Sequence, residues 1–193
     1  NNGDTKVSSL IKDFGGSQSS VKTLQKNGLI YVYEAEDDKK ENDLVAQVAP
    51  YPAPVLNEEQ ENALKEILKI YESHQFGEIL LHGVTASGKT EVYLHAIEAV
   101  IKNGGNVILL VPEISLTPQM IKRFFGRFGD CAAVLHSRLT ERQRYNQWMK
   151  IKNGEVSVAI GARSAVFAPF EKVDMIIIDE EQEPSYKSDE LSP

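Results

Sequence analysis

Short apolar runs alternate with amphipathic segments along most of the chain. The runs are "EILLH" (78–82), "NVILLVP" (106–112), "CAAVLH" (131–136), "VSVAIG" (156–161) and "DMIIID" (174–179). Segments with apolar residues at helical spacing lie at 57–73, 88–103, about 116–127 and about 140–153. Strands that alternate with helices at such short spacing are typical of a parallel sheet with right-handed crossovers. The pattern predicts an α/β fold, and it places Cys131 in a strand as a small buried residue.

The segment before residue 57 follows a different pattern. Residues 5–14 and 17–28 predict two helices, with Ser17 as N-cap and Asn27-Gly28 as a stop, and "LIYVYEAE" from Leu29 alternates like a strand. Residues 36–56 combine a charge run with three prolines, which suits an exposed linker. From Asn57 a new helix begins, with Gln60 at the capping-box position. The predicted organisation is a small unit over 1–35, a linker over 36–56 and a main domain over 57–193.

Composition narrows the class of protein. The 193 residues are 41% apolar and 25% charged, which suits one medium α/β domain with a smaller appendage. Neither a long apolar run nor a signal-peptide pattern is present in the sequence, so we expect a cytoplasmic protein that does not enter a membrane. The formal net charge of −7 is concentrated in 179–190, "DEEQEPSYKSDE", and argues against nucleic-acid binding by overall basicity alone. Lys22 and Lys26 are either solvated charges or contacts to DNA or a partner.

One motif carries nucleotide chemistry. The template G-x-x-x-x-G-K-[ST] is matched between a predicted strand and a predicted helix by Gly83, Val84, Thr85, Ala86, Ser87, Gly88, Lys89 and Thr90. Glycines allow positive φ and close approach of backbone N–H groups to a phosphate chain. Lys89 is predicted to contact the β and γ phosphates. Thr90 is predicted to bind magnesium at the start of a helix whose dipole favours anions.

A second motif, "DMIIIDEEQ", places acids at the end of a buried strand, where ligands of open α/β sheets bind. Asp179 can hold magnesium through water, and Glu180 can orient and deprotonate a water that attacks the γ-phosphate. A small-molecule kinase needs no such base, and the Asn-Lys-x-Asp stretch expected of a GTPase is missing from the sequence. ATP hydrolysis is therefore favoured over a merely solvated acidic strand end.

Longer motifs carry a family resemblance. "LLHGVTASGKTEVY", "VPEISLTPQMI", "VLHS", "GARSAVFAP" and "IIIDEEQEPSYK" together resemble motifs I, Ia, Ib and II of superfamily 2 helicases, and more closely the PriA family of primosomal helicases. The resemblance covers nearly all of 57–190. It implies a RecA-like P-loop lobe and an ATP-dependent 3′-to-5′ DNA helicase, with ATP and magnesium as cofactors, that acts in primosome assembly and restart of stalled replication forks. The 5–35 stretch resembles the end of a winged helix.

The resemblance also implies partners: single-stranded and forked DNA and other primosome proteins. Nothing in the sequence suggests assembly, so we expect a monomer. In such a family the second motor lobe with its arginine finger, the zinc-binding cysteines and an N-terminal DNA-binding domain lie outside the segment matched here. Zinc is therefore expected only in those parts. Two alternatives stay open: a non-catalytic ATP-binding regulatory or interaction module, and a phosphate-loop kinase.

Roles at the nucleotide follow from the resemblance, residue by residue. Gln60 corresponds to the glutamine that contacts adenine. Lys89 and Thr90 correspond to the phosphate and magnesium ligands, and Asp179 and Glu180 to the magnesium-holding acid and the catalytic base. Gln182 stands where the family usually has His, and its amide can still hydrogen-bond the γ-phosphate although it cannot take up a proton.

Roles at the DNA strand follow in the same way. The residues in the loops that contact single-stranded DNA are Pro112, Glu113 and Thr117 in motif Ia and Arg163 and Ser164 in motif Ib. Tyr186 resembles part of an aromatic-rich loop that couples DNA binding to hydrolysis, and a packed surface aromatic is an equal alternative. Two further positions depart from the family pattern: Ala86 where Gly is usual and Ala162 where Thr is common.

We predict that the 193-residue chain by itself binds nucleotide weakly and neither hydrolyses ATP nor unwinds DNA appreciably. An arginine supplied across the cleft is worth about 10³ to 10⁵ in rate in related phosphoryl transfer. Phosphate release with and without single-stranded DNA measures this. DNA-stimulated turnover by the purified chain would contradict it.

Overall fold

A computed structural model describes residues 7–32, 52–84 and 87–186. The chain forms two compact units, Asn1–Asp38 and Lys39–Pro193. Within the described residues no helix combines the length and the apolar character needed to cross a membrane.

The N-terminal unit contains two of the predicted helices, α1 (Val7–Phe14) and α2 (Gln18–Lys26). Ser17 caps α2 as predicted, because its side chain accepts a hydrogen bond from the backbone N–H of Ser20. The strand predicted from Leu29 is wrong over 29–32, which adopt neither helix nor strand, and its remainder lies outside the described residues. The winged-helix assignment stays a prediction.

The main unit is a parallel α/β structure. Its helices are α3 (Glu58–Glu72), α4 (Lys89–Lys102), α5 (Pro118–Phe128) and α6 (Glu141–Lys152), and its strands are β1 (Val107–Leu110), β2 (Ala132–Leu135), β3 (Val158–Gly161) and β4 (Met175–Ile178). The described strands form one sheet in the order β2-β3-β1-β4, with every pairing parallel. The predicted fold class is confirmed, as are four helices and four strands of the main domain.

Local chemistry sets where three of these helices begin. Asn57 and Gln60 form the predicted capping box, in which each side chain accepts from the other residue's backbone N–H at 2.9 Å. Thr140 and Gln143 form a second box at the start of α6. Thr117 caps α5, and Pro118 follows at the first helical position, where its missing N–H is not needed.

Helices cover both faces of the sheet. One apolar cluster joins α4 and α5 to alternate residues of the strands, and its members include Leu94, Ile97, Val100, Val107, Leu109, Phe124 and Ile160. The other face carries Ile108, Leu110, Ala159, Ile151 of α6, Ala165 and Ala168. Full burial of one such aliphatic side chain stabilises the fold by about 1.5–3 kcal/mol. Because α4 supplies several of them, its position on the sheet is strongly determined.

Two expectations for the main unit are wrong. The run 78–82 was predicted as a buried strand, yet it belongs to no helix or strand, and Leu80 is 73% exposed. A strand is defined by its backbone hydrogen bonds to a neighbouring strand. Among the described strands β4 pairs with β1 alone, so 78–82 does not extend the sheet beside β4. Cys131 is exposed, because it ends a 3-10 turn (Gly129–Cys131) one residue before β2 begins.

Two substitutions can test whether 78–82 is less tightly packed than the core of the sheet. We expect Leu94→Ala, at a fully buried position, to lower the free energy of unfolding by about 2–5 kcal/mol. Leu80→Ala should change it by less than about 0.5 kcal/mol, because the side chain is already exposed. Urea denaturation of both variants is the measurement. A comparable loss in Leu80→Ala would mean that 78–82 is packed after all.

Candidate functional site

The glycine-rich loop enters α4 through a residue that favours glycine. Gly88 is the N-cap of α4 and has φ 85° and ψ 18°, in the left-handed region. A side chain there would strain the backbone, and its Cβ would also displace the amide of Gln60. A Cβ on Gly83 would lie 2.7 Å from Oγ of Ser87, so the loop is tight at both glycines.

Lys89 points back into its own loop. Its ammonium donates to the carbonyl oxygens of Gly83 at 2.6 Å and Val84 at 3.2 Å. The amides of Glu91 and Val92 bond to the Gly88 carbonyl and so belong to the helix. The predicted contact residues Thr85 and Ala86 lie outside the described residues. The ammonium and the dipole at the start of α4 together make this a positively polarised corner.

Gln60 connects α3 to the same loop. Its amide oxygen accepts from the backbone N–H of Asn57, and its Nε2 donates to the carbonyl oxygen of Ser87 at 3.2 Å. In this conformation the side chain holds the loop. The second hydrogen on Nε2 can still donate to a ligand.

The acidic pair lies at the carboxyl end of β4. The backbone N–H of Asp179 donates to the carbonyl of Leu110 at 2.8 Å, so the β1–β4 ladder continues to the residue that carries the carboxylate. Glu180 is exposed and adopts φ 50°, which is uncommon for a residue other than glycine and costs about 1–3 kcal/mol. Gln182 Nε2 donates to Oε2 of Glu180 at 2.6 Å, so it contacts the predicted base.

A tyrosine joins the loop to the acids. The hydroxyl of Tyr93, on α4, donates to Oδ2 of Asp179 at 3.2 Å. The helix that follows the phosphate loop is therefore hydrogen-bonded directly to the first acid of the second motif. Tyr186 donates to the backbone carbonyl of Asp179 at 3.0 Å. Neither contact was predicted from the sequence, since Tyr93 looks like an ordinary apolar position of an amphipathic helix.

Two further loops lie at the carboxyl edge of the sheet. Glu113 begins a 3-10 turn after β1 and is exposed, Thr117 caps α5, and the preceding Pro112 is buried. Arg163 and Ser164 are exposed in the 3-10 turn (Arg163–Phe167) that follows β3. The structure thus places the residues assigned to motifs Ia and Ib on the same edge as the acids.

A groove of about 480 Å³ lies beside the motif Ia loop. It is lined by Glu113, Ile114, Leu116, Pro118, Ile121, Lys122, His136, Ser137, Arg138, Leu139 and Gln143. Burial lowers the pKa of His136, and the charges of Arg138 and Arg144 lower it further, so this imidazole is neutral at pH 7. The sequence interpretation assigned no role to His136, Ser137 or Arg138, although the "VLHS" motif marks the segment.

A buried ion network fixes α5 to α4. The guanidinium of Arg127 is 1% exposed and donates to Glu91 at 3.0 Å and to Glu98. Arg123 also bonds Glu91. Glu91 directly follows Thr90, so the helix that carries the loop and the helix capped by Thr117 are tied together close to the site.

The environment of Asp179 gives a testable effect on stability. Burial raises the pKa of Asp179; the hydrogen bond from Tyr93 opposes this shift, and the charge of Glu180 adds to it. A raised pKa in the folded state means that the ionised carboxylate destabilises the fold once the pH exceeds the unfolded value of about 3.9.

We expect Asp179→Asn to melt at a higher temperature than the parent protein at pH 7, without nucleotide or metal. The gain should shrink as the pH falls toward about 4, where the unfolded carboxylate also becomes protonated. Thermal melts across this range measure it, with the exposed Asp130→Asn as control. A lower melting temperature of Asp179→Asn at pH 7 would show that the ionised carboxylate of Asp179 does not destabilise the fold.

Comparisons with known proteins fit this geometry. A family profile described as DEAD/DEAH box helicase matches residues 57–191. Among curated proteins, the chain is 47% identical to the replication restart protein PriA of Bacillus subtilis (strain 168), over 94% of this chain and 22% of that protein. It is 38% identical to the protein of the same name from Chlamydia pneumoniae, over 97% of this chain and 25% of that protein.

A solved structure extends the likeness to the fold. The structure titled RecG bound to a three-way DNA junction superposes with a TM-score of 0.55 at 21% identity, over 79% of this chain and 25% of that one. The chain spans about a quarter or less of the curated relatives named above. The match of the family profile to most of the main unit, with its P-loop and acid pair meeting at one sheet edge, shows that the chain belongs to the DEAD/DEAH box helicase family.

Proposed function

We propose that this chain is the nucleotide-binding lobe of an ATP-dependent 3′-to-5′ DNA helicase that acts in primosome assembly and in restart of stalled replication forks. The observation that carries the proposal is the hydrogen bond from Tyr93, on the helix that follows the phosphate loop, to the acid at the end of β4. Similarity to replication restart proteins supports the biological role. A helicase of this family uses ATP with magnesium, and DNA is the partner that fits.

Nucleotide binding would exchange contacts that the loop now makes with itself. The Lys89 ammonium would leave the carbonyls of Gly83 and Val84 for the β and γ phosphates, which are stronger acceptors because they are charged. Amides at the start of α4 would add further donors. Gln60 lies against Ser87, and its free amide hydrogen suits the adenine contact inferred for it.

The hydroxyl of Thr90 and the carboxylate of Asp179 fit a magnesium ion, since both are hard oxygen donors and Tyr93, one turn after Thr90, bonds to Asp179. The ion would neutralise charge on the phosphates during transfer. Glu180 would orient the attacking water and accept its proton, and to do so it must be released by Gln182. Gln182 would then be available to the γ-phosphate, as inferred from its place in the motif.

A single DNA strand would cross the carboxyl edge of the sheet. Thr117, Arg163 and Ser164 offer a hydroxyl or charged donor for phosphates, and the groove adds Lys122 and Arg138. Contacts of this kind bind any sequence, which suits a motor that moves along DNA. The net charge of −7 does not oppose this, because such a track needs only local positive charge.

Two substitutions separate binding from hydrolysis. In the purified protein, Lys89→Ala should weaken binding of a fluorescent ATP analogue about tenfold or more, because a charge-assisted contact is lost. Glu180→Gln should bind the analogue normally and, in the full-length protein, lower DNA-stimulated hydrolysis about 10²- to 10⁴-fold, since only the base is removed. Lys102→Ala, at the far end of α4, is the matched control.

The outcomes distinguish the alternatives. Unchanged affinity in Lys89→Ala would remove that residue from its role. Nucleotide binding with no hydrolysis by the complete protein in the presence of DNA would favour a regulatory module. Transfer of phosphate to a small acceptor rather than to water would favour a kinase.

A further inference from the structure

Tyr93 occupies an unusual place for a core aromatic. It lies on α4 one turn after Thr90, is 5% exposed, and belongs to the apolar cluster with Leu94 and Ile97. Its ring is therefore fixed by packing. Its hydroxyl, however, reaches the functional site and donates to Asp179, a side chain to which we assign metal binding.

The direction of this hydrogen bond follows from valence. A carboxylate oxygen only accepts, so the phenol of Tyr93 donates its one proton to Oδ2 of Asp179 at 3.2 Å.

This bond leaves the correct atom for a cation. Tyr93 engages one carboxylate oxygen of Asp179, which leaves the other for the ion or its water. Tyr186 bonds to the backbone carbonyl of Asp179, so among these two tyrosines it is Tyr93 that orients the carboxylate.

We propose that Tyr93 is a positioning residue for the metal–nucleotide complex: its hydroxyl orients the Asp179 carboxylate toward the cation. The inference rests on the proposed function and adds a residue that lies outside both motifs' ligand positions. It assigns to Tyr93 no contact with nucleotide or metal. Partners of this kind, which orient the ligands of a metal, typically contribute about 10- to 100-fold to its affinity.

Tyr93→Phe tests this, because it removes the hydroxyl and keeps the packed ring. In the purified protein, affinity for a fluorescent ATP analogue is measured with Mg²⁺ and with EDTA. We expect binding with Mg²⁺ to weaken about tenfold and binding in EDTA to stay within about twofold of the parent. Mn²⁺ titration followed by electron paramagnetic resonance should show a matching loss of metal affinity in the presence of nucleotide.

Tyr145→Phe is the matched control, since this tyrosine is 62% exposed on α6, and it should behave as the parent does. Thermal melting verifies that Tyr93→Phe is folded. Parent-like affinity with Mg²⁺ would overturn the inference, and equal losses with and without Mg²⁺ would show a packing role instead. If the parent protein binds no analogue under either condition, the proposed nucleotide site itself fails, and the inference falls with it.

Discussion

Burial of one face of α4 against the sheet is the constraint on which the site depends. Leu94, Ile97 and Val100 are fully buried, so the helix cannot rotate or slide without exposing them. The phosphate loop leads directly into its first residue. Tyr93, in its second turn, donates to the acid at the end of β4. The hydrogen-bond ladder between β1 and β4 fixes the position of the acids, because the backbone N–H of Asp179 still bonds to the carbonyl of Leu110. Packing in the core therefore sets the distance between loop and acids.

The ion network around Arg127 adds a second constraint of another kind. A buried guanidinium loses its hydration, and its bonds to Glu91 and Glu98 offset that loss without adding much net stability. One of its nitrogens, Nη2, is buried without a hydrogen-bond partner among the described residues. Such a network contributes specificity of arrangement more than stability. Here it fixes the position of α5, which Thr117 caps, relative to the helix that follows the phosphate loop.

Much of the fold was predictable because its signals are local. The capping box of Asn57 and Gln60, the glycine at position 88 and four strands of apolar residues each follow from a few neighbouring residues. The failures share a different cause. Whether 78–82 pairs depends on a partner strand distant in sequence, and whether Cys131 is buried depends on whether the 3-10 turn or the strand includes it. The spacing of apolar residues along the sequence contains neither kind of information.

The functional site also combines features that the sequence predicts with contacts that it does not. Both motifs were recognisable, and the structure connects the helix of the first to the acid of the second through Tyr93. The contact of Tyr93 with Asp179 spans 86 positions in the chain, and no spacing rule connects two such residues. The bonds of Gln60 to Ser87 and of Gln182 to Glu180 were likewise invisible, because they depend on rotamers within the folded loop.

The outer edge of β4 has a consequence for the behaviour of the chain in solution. Within the described residues β4 pairs on one side only, and Ile176 and Ile178 are 51% and 50% exposed. A row of unsatisfied amides and carbonyls flanked by isoleucine is a template for adding a strand from another molecule. At high protein concentration this edge is where aggregation would start, and a lysine or proline placed along it would be the natural means of improving solubility.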